Sequence, residues 1–129
     1  GGRTLIKSGG VLSPGSSPGV ISNTGTLVWE GGGRYLWEIN DFNGSAGVNP
    51  GWDLVEIDGI LSNAATSGNK FNININSLNG AVGGNAANFN TDNDYTMTIA
   101  TASVSVANGA SPTPPATSAP TAACSWRKR

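Results

Sequence analysis

The sequence predicts an all-β protein, a β-solenoid or a β-sandwich, and three observations carry that prediction. Apolar residues recur at every second position in several short stretches, the signature of strands with one buried face. No stretch holds a helical period for even three turns. Between the alternating stretches lie clusters of Gly, Pro, Asn and Ser, the residues that make turns. With 19 glycines and seven prolines in 129 residues, the chain is punctuated often enough to keep its elements short.

Taken in order, Arg3 to Lys7 (RTLIK) reads as a short strand closed by Ser8-Gly9-Gly10. The stretch from Gly10 to Gly19 holds Ser-Pro-Gly twice. Pro14 and Pro18 each fix φ, and Gly15 and Gly19 accept positive φ, so two tight turns in succession are expected and a helix is not. Thr26 to Glu30 alternates through Leu27 and Trp29, and Arg34 to Ile39 through Tyr35, Trp37 and Ile39. Between them Gly31, Gly32 and Gly33 form a corner. Asn40 to Gly51 is a polar loop.

Trp52 to Leu61 reads as one strand with Asp53, Val55, Ile57, Gly59 and Leu61 on one face and Glu56 and Asp58 on the other. Ser62 to Asn69 is a connection of small residues. Phe71 to Asn76 is the cleanest alternation, with Phe71, Ile73 and Ile75 inward and Asn72, Asn74 and Asn76 outward. Leu78 to Asn93 is a long Gly/Ala/Asn loop anchored by Phe89. Tyr95 to Thr101 places Tyr95, Met97 and Ile99 on one face, and Ser103 to Val106 adds a last strand. From residue 107 the composition turns to Ser, Thr, Pro and Ala, with Pro112, Pro114, Pro115 and Pro120. That stretch reads as an extended or disordered tail with a basic end. The expected organisation is a β-rich domain over 1–106 and a tail over 107–129.

Composition limits the function. The length suits one domain with a modest core. Charged residues are 12% of the chain, half the usual share, so the surface is polar but weakly charged. The formal charge of −1 becomes −4 once Arg127, Lys128 and Arg129 at the terminus are set aside. No basic stripe marks a nucleic-acid partner. No apolar run reaches the ~18 residues of a membrane span, and no leader is visible at Gly1, so either a signal has been removed or the chain is a piece of a longer one. The lone Cys124 allows neither an internal disulfide nor a zinc-binding pair, a scarcity that suits an exported bacterial protein.

Candidate chemistry is restricted by the absence of histidine, which removes the usual general base and most transition-metal sites. Glu38, Asp41, Asp53, Glu56 and Asp58 could supply a two-carboxylate glycosidase pair, but solvated carboxylates on strand faces and loops explain them more simply. Calcium is the cofactor best matched to the loops, through Asp41 and Asn43 in one and Asp92 and Asp94 in the other. Asx turns are the simpler account of both. Trp29, Trp37 and Trp52 are either core and corner fillers or, for Trp29 and Trp52 above all, platforms for stacking on sugars. The outward Asn72, Asn74 and Asn76 either face water or form amide ladders. Asn43-Gly44-Ser45 matches a glycosylation sequon, for which chance is the simpler account.

Taken together, GVLSPGSSPGVIS, GTLVWEGGGRYLWEIND, WDLVEIDGIL, FNIN and YTMTIATAS resemble the C-terminal passenger region of autotransporter-type proteins, and within it the autotransporter-associated β-strand repeat proteins of bacterial cell surfaces. The resemblance spans roughly residues 9 to 101. It implies a right-handed parallel β-helix, or the cap that closes one, displayed outside the cell, and it brings no catalytic residues. Pro14, Gly15, Pro18, Gly19, Gly31, Gly32 and Gly33 are then structural. Two departures stand out: no outer-membrane barrel follows, and the tail lacks the glutamate and apolar span of Pro-Glu-Pro sorting signals.

The expected function is therefore a non-catalytic extracellular structural or adhesive module. Its partners would be other copies, stacked head to tail into fibres, or a longer surface chain, with surface glycans as a further contact. The alternative is a carbohydrate-binding β-sandwich module. A polysaccharide-cleaving β-helix ranks third, because neither a histidine nor a basic cluster is there to abstract a proton.

Overall fold

The computed structural model describes residues 2–15, 18–108 and 121–126. Its strands are β1 (Arg3–Ile6), β2 (Val11–Leu12), β3 (Val20–Trp29), β4 (Arg34–Ile39), β5 (Ser45–Ala46), β6 (Gly51–Trp52), β7 (Leu54–Asn63), β8 (Asn72–Asn79), β9 (Val82–Gly83), β10 (Tyr95–Ala102), β11 (Ser105–Asn108) and β12 (Thr121–Trp126). No helix occurs among the described residues, so the fold is all-β.

The strands form two sheets. The first runs β1-β3-β7-β10-β12, with β11 also on β7; the second runs β5-β6-β4-β8-β9, with β2 also on β4. The chain passes from the first sheet to the second and back: β1 leads to β2, β3 to β4, and β7 to β8. Successive passes pair in parallel, Arg3 with Thr26, Val20 with Leu54 and Val55 with Ala100 in the first sheet, and Val11 with Arg34 and Arg34 with Asn72 in the second.

Alternation decides what is buried. Leu27 and Trp29 from β3, Tyr35, Trp37 and Ile39 from β4, Val55, Ile57 and Leu61 from β7, and Met97 and Ile99 from β10 form one core between the sheets. Each such side chain contributes about 1.5–3 kcal/mol on burial. Of the three polar tips that enter the core, two find acceptors, as buried Tyr and Trp usually do, while Trp29 Nε1 has no partner among the described residues. Tyr35 Oη donates to the Ile99 carbonyl at 3.1 Å, and Trp37 Nε1 to the Asp53 carbonyl at 2.9 Å.

The triple-glycine corner is stacked between two others. Gly9 N donates to Gly32 O at 3.0 Å, and Gly32 N to Lys70 O at 2.9 Å. Gly32 has φ of 82°, and a Cβ there would strike the Ser8 side chain. A second stack lies within the long strands, where Gly25 (φ 99°) pairs with Gly59 (φ 150°). A Cβ on Gly59 would run into the Gly25 carbonyl.

Several expectations are corrected. The strand expected to start at Thr26 starts at Val20, because β7 pairs with it along its whole length although Ser22, Asn23 and Thr24 give it little apolar pattern. The strand expected over Trp52 to Leu61 is broken at Asp53, where the chain turns from β6 into β7. Ile75 is 51% exposed rather than inward, because β8 has no further parallel strand beside it among the described residues. A hydrogen-bonded turn at Ser8-Gly9 is closed by Gly10 N to Lys7 O at 2.7 Å. Pro14, Gly15, Pro18 and Gly19 lie between β2 and β3, and the second expected turn includes residue 17, which lies outside the described residues.

The tail is corrected in part. Thr121–Trp126 is a strand, paired antiparallel with β10. This run is free of proline and opens with small residues, so it can lie along the β10 edge, where Ala122 packs against the core. The proline-rich residues 109–120 and the basic Arg127, Lys128 and Arg129 lie outside the described residues.

Candidate functional site

Three places gather polar or exposed apolar groups. The first is the junction at Asp53, which is fully buried. Its Oδ1 accepts the Gly19 amide at 2.9 Å and its Oδ2 the Glu38 amide at 3.0 Å. Asp53 N in turn donates to Glu38 O at 2.9 Å. Burial pushes the Asp53 carboxyl up to about 6, against the two amides that draw it down and with the Glu38 charge adding to the rise. Glu38 is itself only 5% exposed. Its Oε2 accepts from Asn76 at 3.3 Å, and its Oε1 has no hydrogen-bond partner among the described residues. These contacts tie the β2–β3 connection to β4 and to the start of β7, a structural use for both carboxylates.

The second place is the end of the second sheet. A groove of about 490 Å3 lies beside β8, lined by Ile39, Phe42, Ile75, Ala86 and Phe89 with Ser77 and Asn85. Phe42, Phe89 and Tyr95 form a ring cluster with centroids 4.9 to 5.8 Å apart. Phe89 thus anchors its loop as expected from the sequence, yet stays 49% exposed.

The third is a trough of about 360 Å3 on the outer face of the first sheet. Ser22 sits opposite Glu56 and Glu56 opposite Thr101, while Thr24 sits opposite Asp58. Ser103 Oγ donates to Asp58 Oδ1 at 3.0 Å. Of the five candidate carboxylates, the structure brings Glu56 and Asp58 onto this one face and leaves Asp41 elsewhere. Among the described residues that line it, the trough offers acceptors and hydroxyls and no aromatic platform.

The proposed calcium loops are organised by their own turns. Asp41 Oδ1 accepts from Asn43 N at 2.8 Å and from Asn88 Nδ2 at 2.7 Å, and these bonds hold its carboxyl below the ordinary value. This is the Asx turn, extended by a cross-loop bond that the sequence does not signal. Asp92 N donates to Asn90 Oδ1 at 2.8 Å, and Asn90 N donates to the Tyr95 hydroxyl at 2.9 Å. Asp92 and Asp94 line a shallow opening with Asn93 and Tyr95. Among the described residues no three acidic, His or Cys side chains cluster as metal ligands.

The tryptophans separate. Trp29 is 6% exposed and stacked on Phe71, centroids 4.7 Å apart and planes within 2°. That burial corrects its role as a sugar platform. Trp52 is half-buried and donates Nε1 to the Thr98 carbonyl at 3.0 Å. Trp37 is core. Gly31, Gly32 and Gly33 have the corner role expected of them.

No helix among the described residues is long and apolar enough to cross a membrane. Comparison with known protein families, with curated protein sequences and with solved structures finds no match.

Proposed function

We propose that the chain is a non-catalytic structural or adhesive module of a bacterial surface protein, working outside the cell, and that its two sheets are faces of a right-handed parallel β-helix. One observation carries the reading: β1, β3, β7 and β10 stack in parallel in one sheet while β2, β4 and β8 do so in the other, with the chain alternating between them. Parallel stacking of successive passes favours coils over a β-sandwich, whose sheets are built from antiparallel pairs. Stacked coils give a rigid body from little sequence information. The lack of histidine supports a non-catalytic role. Partners on this reading are a longer surface chain or further copies.

The test displays the full chain on a bacterial surface and measures cell attachment alongside release of reducing ends from polysaccharides. Attachment without turnover is expected. Turnover of any polysaccharide overturns the reading.

A second reading, glycan binding, draws on the trough. Contact would run through Glu56, Asp58 and the four hydroxyls around them rather than through Trp29. Glycan-array binding lost in Glu56→Gln, with the fold retained, would favour it.

A further inference from the structure

Strand β8 pairs with β4 on one side only. Asn72 N donates to Gly33 O at 3.0 Å, so the main-chain groups of Asn72, Asn74 and Asn76 turn toward β4. Those of Ile73, Ile75 and Ser77 turn the other way. Ser77 O is taken by Gly84 N at 3.1 Å, and Leu78 and Asn79 pair with β9. Among the described residues nothing pairs with the open side of Ile73 and Ile75.

From Asn72 to Asn76 this edge carries no charge, proline or bulge. Edge strands are ordinarily blunted by charge, proline or a bulge. Here no charged residue or proline occurs between Lys70 and Asp92, and β8 keeps an unbroken register with β4. Ile75 is 51% exposed at the mouth of the groove lined by Phe42 and Phe89. The five residues Asn72-Ile73-Asn74-Ile75-Asn76 also read the same in both directions.

We infer that the β8 edge is a self-association site, where a second copy pairs antiparallel about a twofold axis at Asn74. A palindromic strand fits this symmetry, since an isologous interface must be self-complementary. In this register Ile73 and the partner's Ile75 exchange two hydrogen bonds, and Ile75 and the partner's Ile73 two more. The apolar side chains meet on the groove side. Asn74 meets the partner's Asn74, and Asn72 the partner's Asn76, on the outer side, where side-chain amides can pair and no like charges oppose. The inference is independent of the surface role and of the coil reading, because it uses only the free edge and its sequence.

Sedimentation of the full chain over a concentration series tests it, with expected conversion from 13.0 kDa to twice that mass. Asn74→Lys, an exposed outward position, sets two like charges on the axis and should abolish the dimer while leaving the circular dichroism unchanged. In a Cys124→Ser background, Asn74→Cys should oxidise to a disulfide-linked dimer, since opposed residues of a non-hydrogen-bonded pair lie about 4.5 Å apart at Cα. Asn72→Cys should not, because its opposite number is the partner's Asn76. A monomer at every concentration, a dimer that survives Asn74→Lys, or equal cross-linking of the two cysteine variants overturns the inference.

Discussion

The carboxylate of Asp53 and the amide of Gly19, 34 residues apart in sequence, are joined by a hydrogen bond of 2.9 Å. Because the other carboxylate oxygen holds the Glu38 amide, one buried side chain fixes the end of the β2–β3 connection against two strands.

Asp53 also makes stability depend on pH. Its carboxyl titrates near the ordinary 3.8 when unfolded and is pushed up to about 6 when folded, so the folded state binds its proton more tightly. The contribution is most favourable below the unfolded value and is lost as pH rises through about 6. The loss is on the order of 3 kcal/mol. Denaturant midpoints between pH 4 and pH 7 should fall with rising pH more steeply in the native chain than in Asp53→Asn. Equal slopes would show that this carboxyl does not titrate there.

Gly59→Ala should be among the most damaging single-methyl additions. Its Cβ meets the Gly25 carbonyl of the neighbouring strand, and φ of 150° adds backbone strain. A loss of about 3 kcal/mol or more is expected from the clash and strain together. Gly68→Ala, where the added methyl meets nothing within 4 Å, is the matched control and should leave the unfolding midpoint nearly unchanged.

Trp29→Ala removes a buried ring stacked on Phe71 and should cost about 3–5 kcal/mol in chemical denaturation. Trp52→Ala should cost less, since that ring is half-buried and gives up one hydrogen bond. Equal losses would mean that the Trp29–Phe71 stack adds nothing to the core.

Asp41→Ala should loosen the structure locally. It removes the acceptor shared by Asn43 N and Asn88 Nδ2, so amide exchange at Asn43 should quicken while the protection of β4 and β7 stays the same. Uniform loss of protection would assign Asp41 a global role instead.

Much of the fold was legible because β4, β7 and β10 each carry large residues at alternate positions, although Gly59 interrupts the inward face of β7 and a register shift between Thr98 and Ala100 moves the buried face of β10 to Ala100 and Ala102. The strand over Val20–Gly25 was not, since its inward positions are Ile21, Asn23 and Gly25, and only its pairing with β7 marks it. Ile75 misled for the opposite reason. Its pattern is that of a buried strand, but exposure depends on whether a neighbour exists, and alternation is silent about neighbours. At the candidate sites, Glu56 and Asp58 share a face by their spacing of two. The bonds Asp53–Gly19 and Asp41–Asn88 span 34 and 47 residues and have no local signal. Composition alone assigned residues 121–126 to the tail, although a short proline-free run can still complete a sheet.

The paired positions of the first sheet lie farther apart along the chain at each step: 23 residues from Arg3 to Thr26, 34 from Val20 to Leu54, and 45 from Val55 to Ala100. The ladder nevertheless continues in parallel, so the added length lies outside it, in segments such as 40–50 and 80–94. Length can therefore differ in those segments while the strand pairing stays the same, whereas a single methyl at Gly59 strikes the neighbouring strand itself.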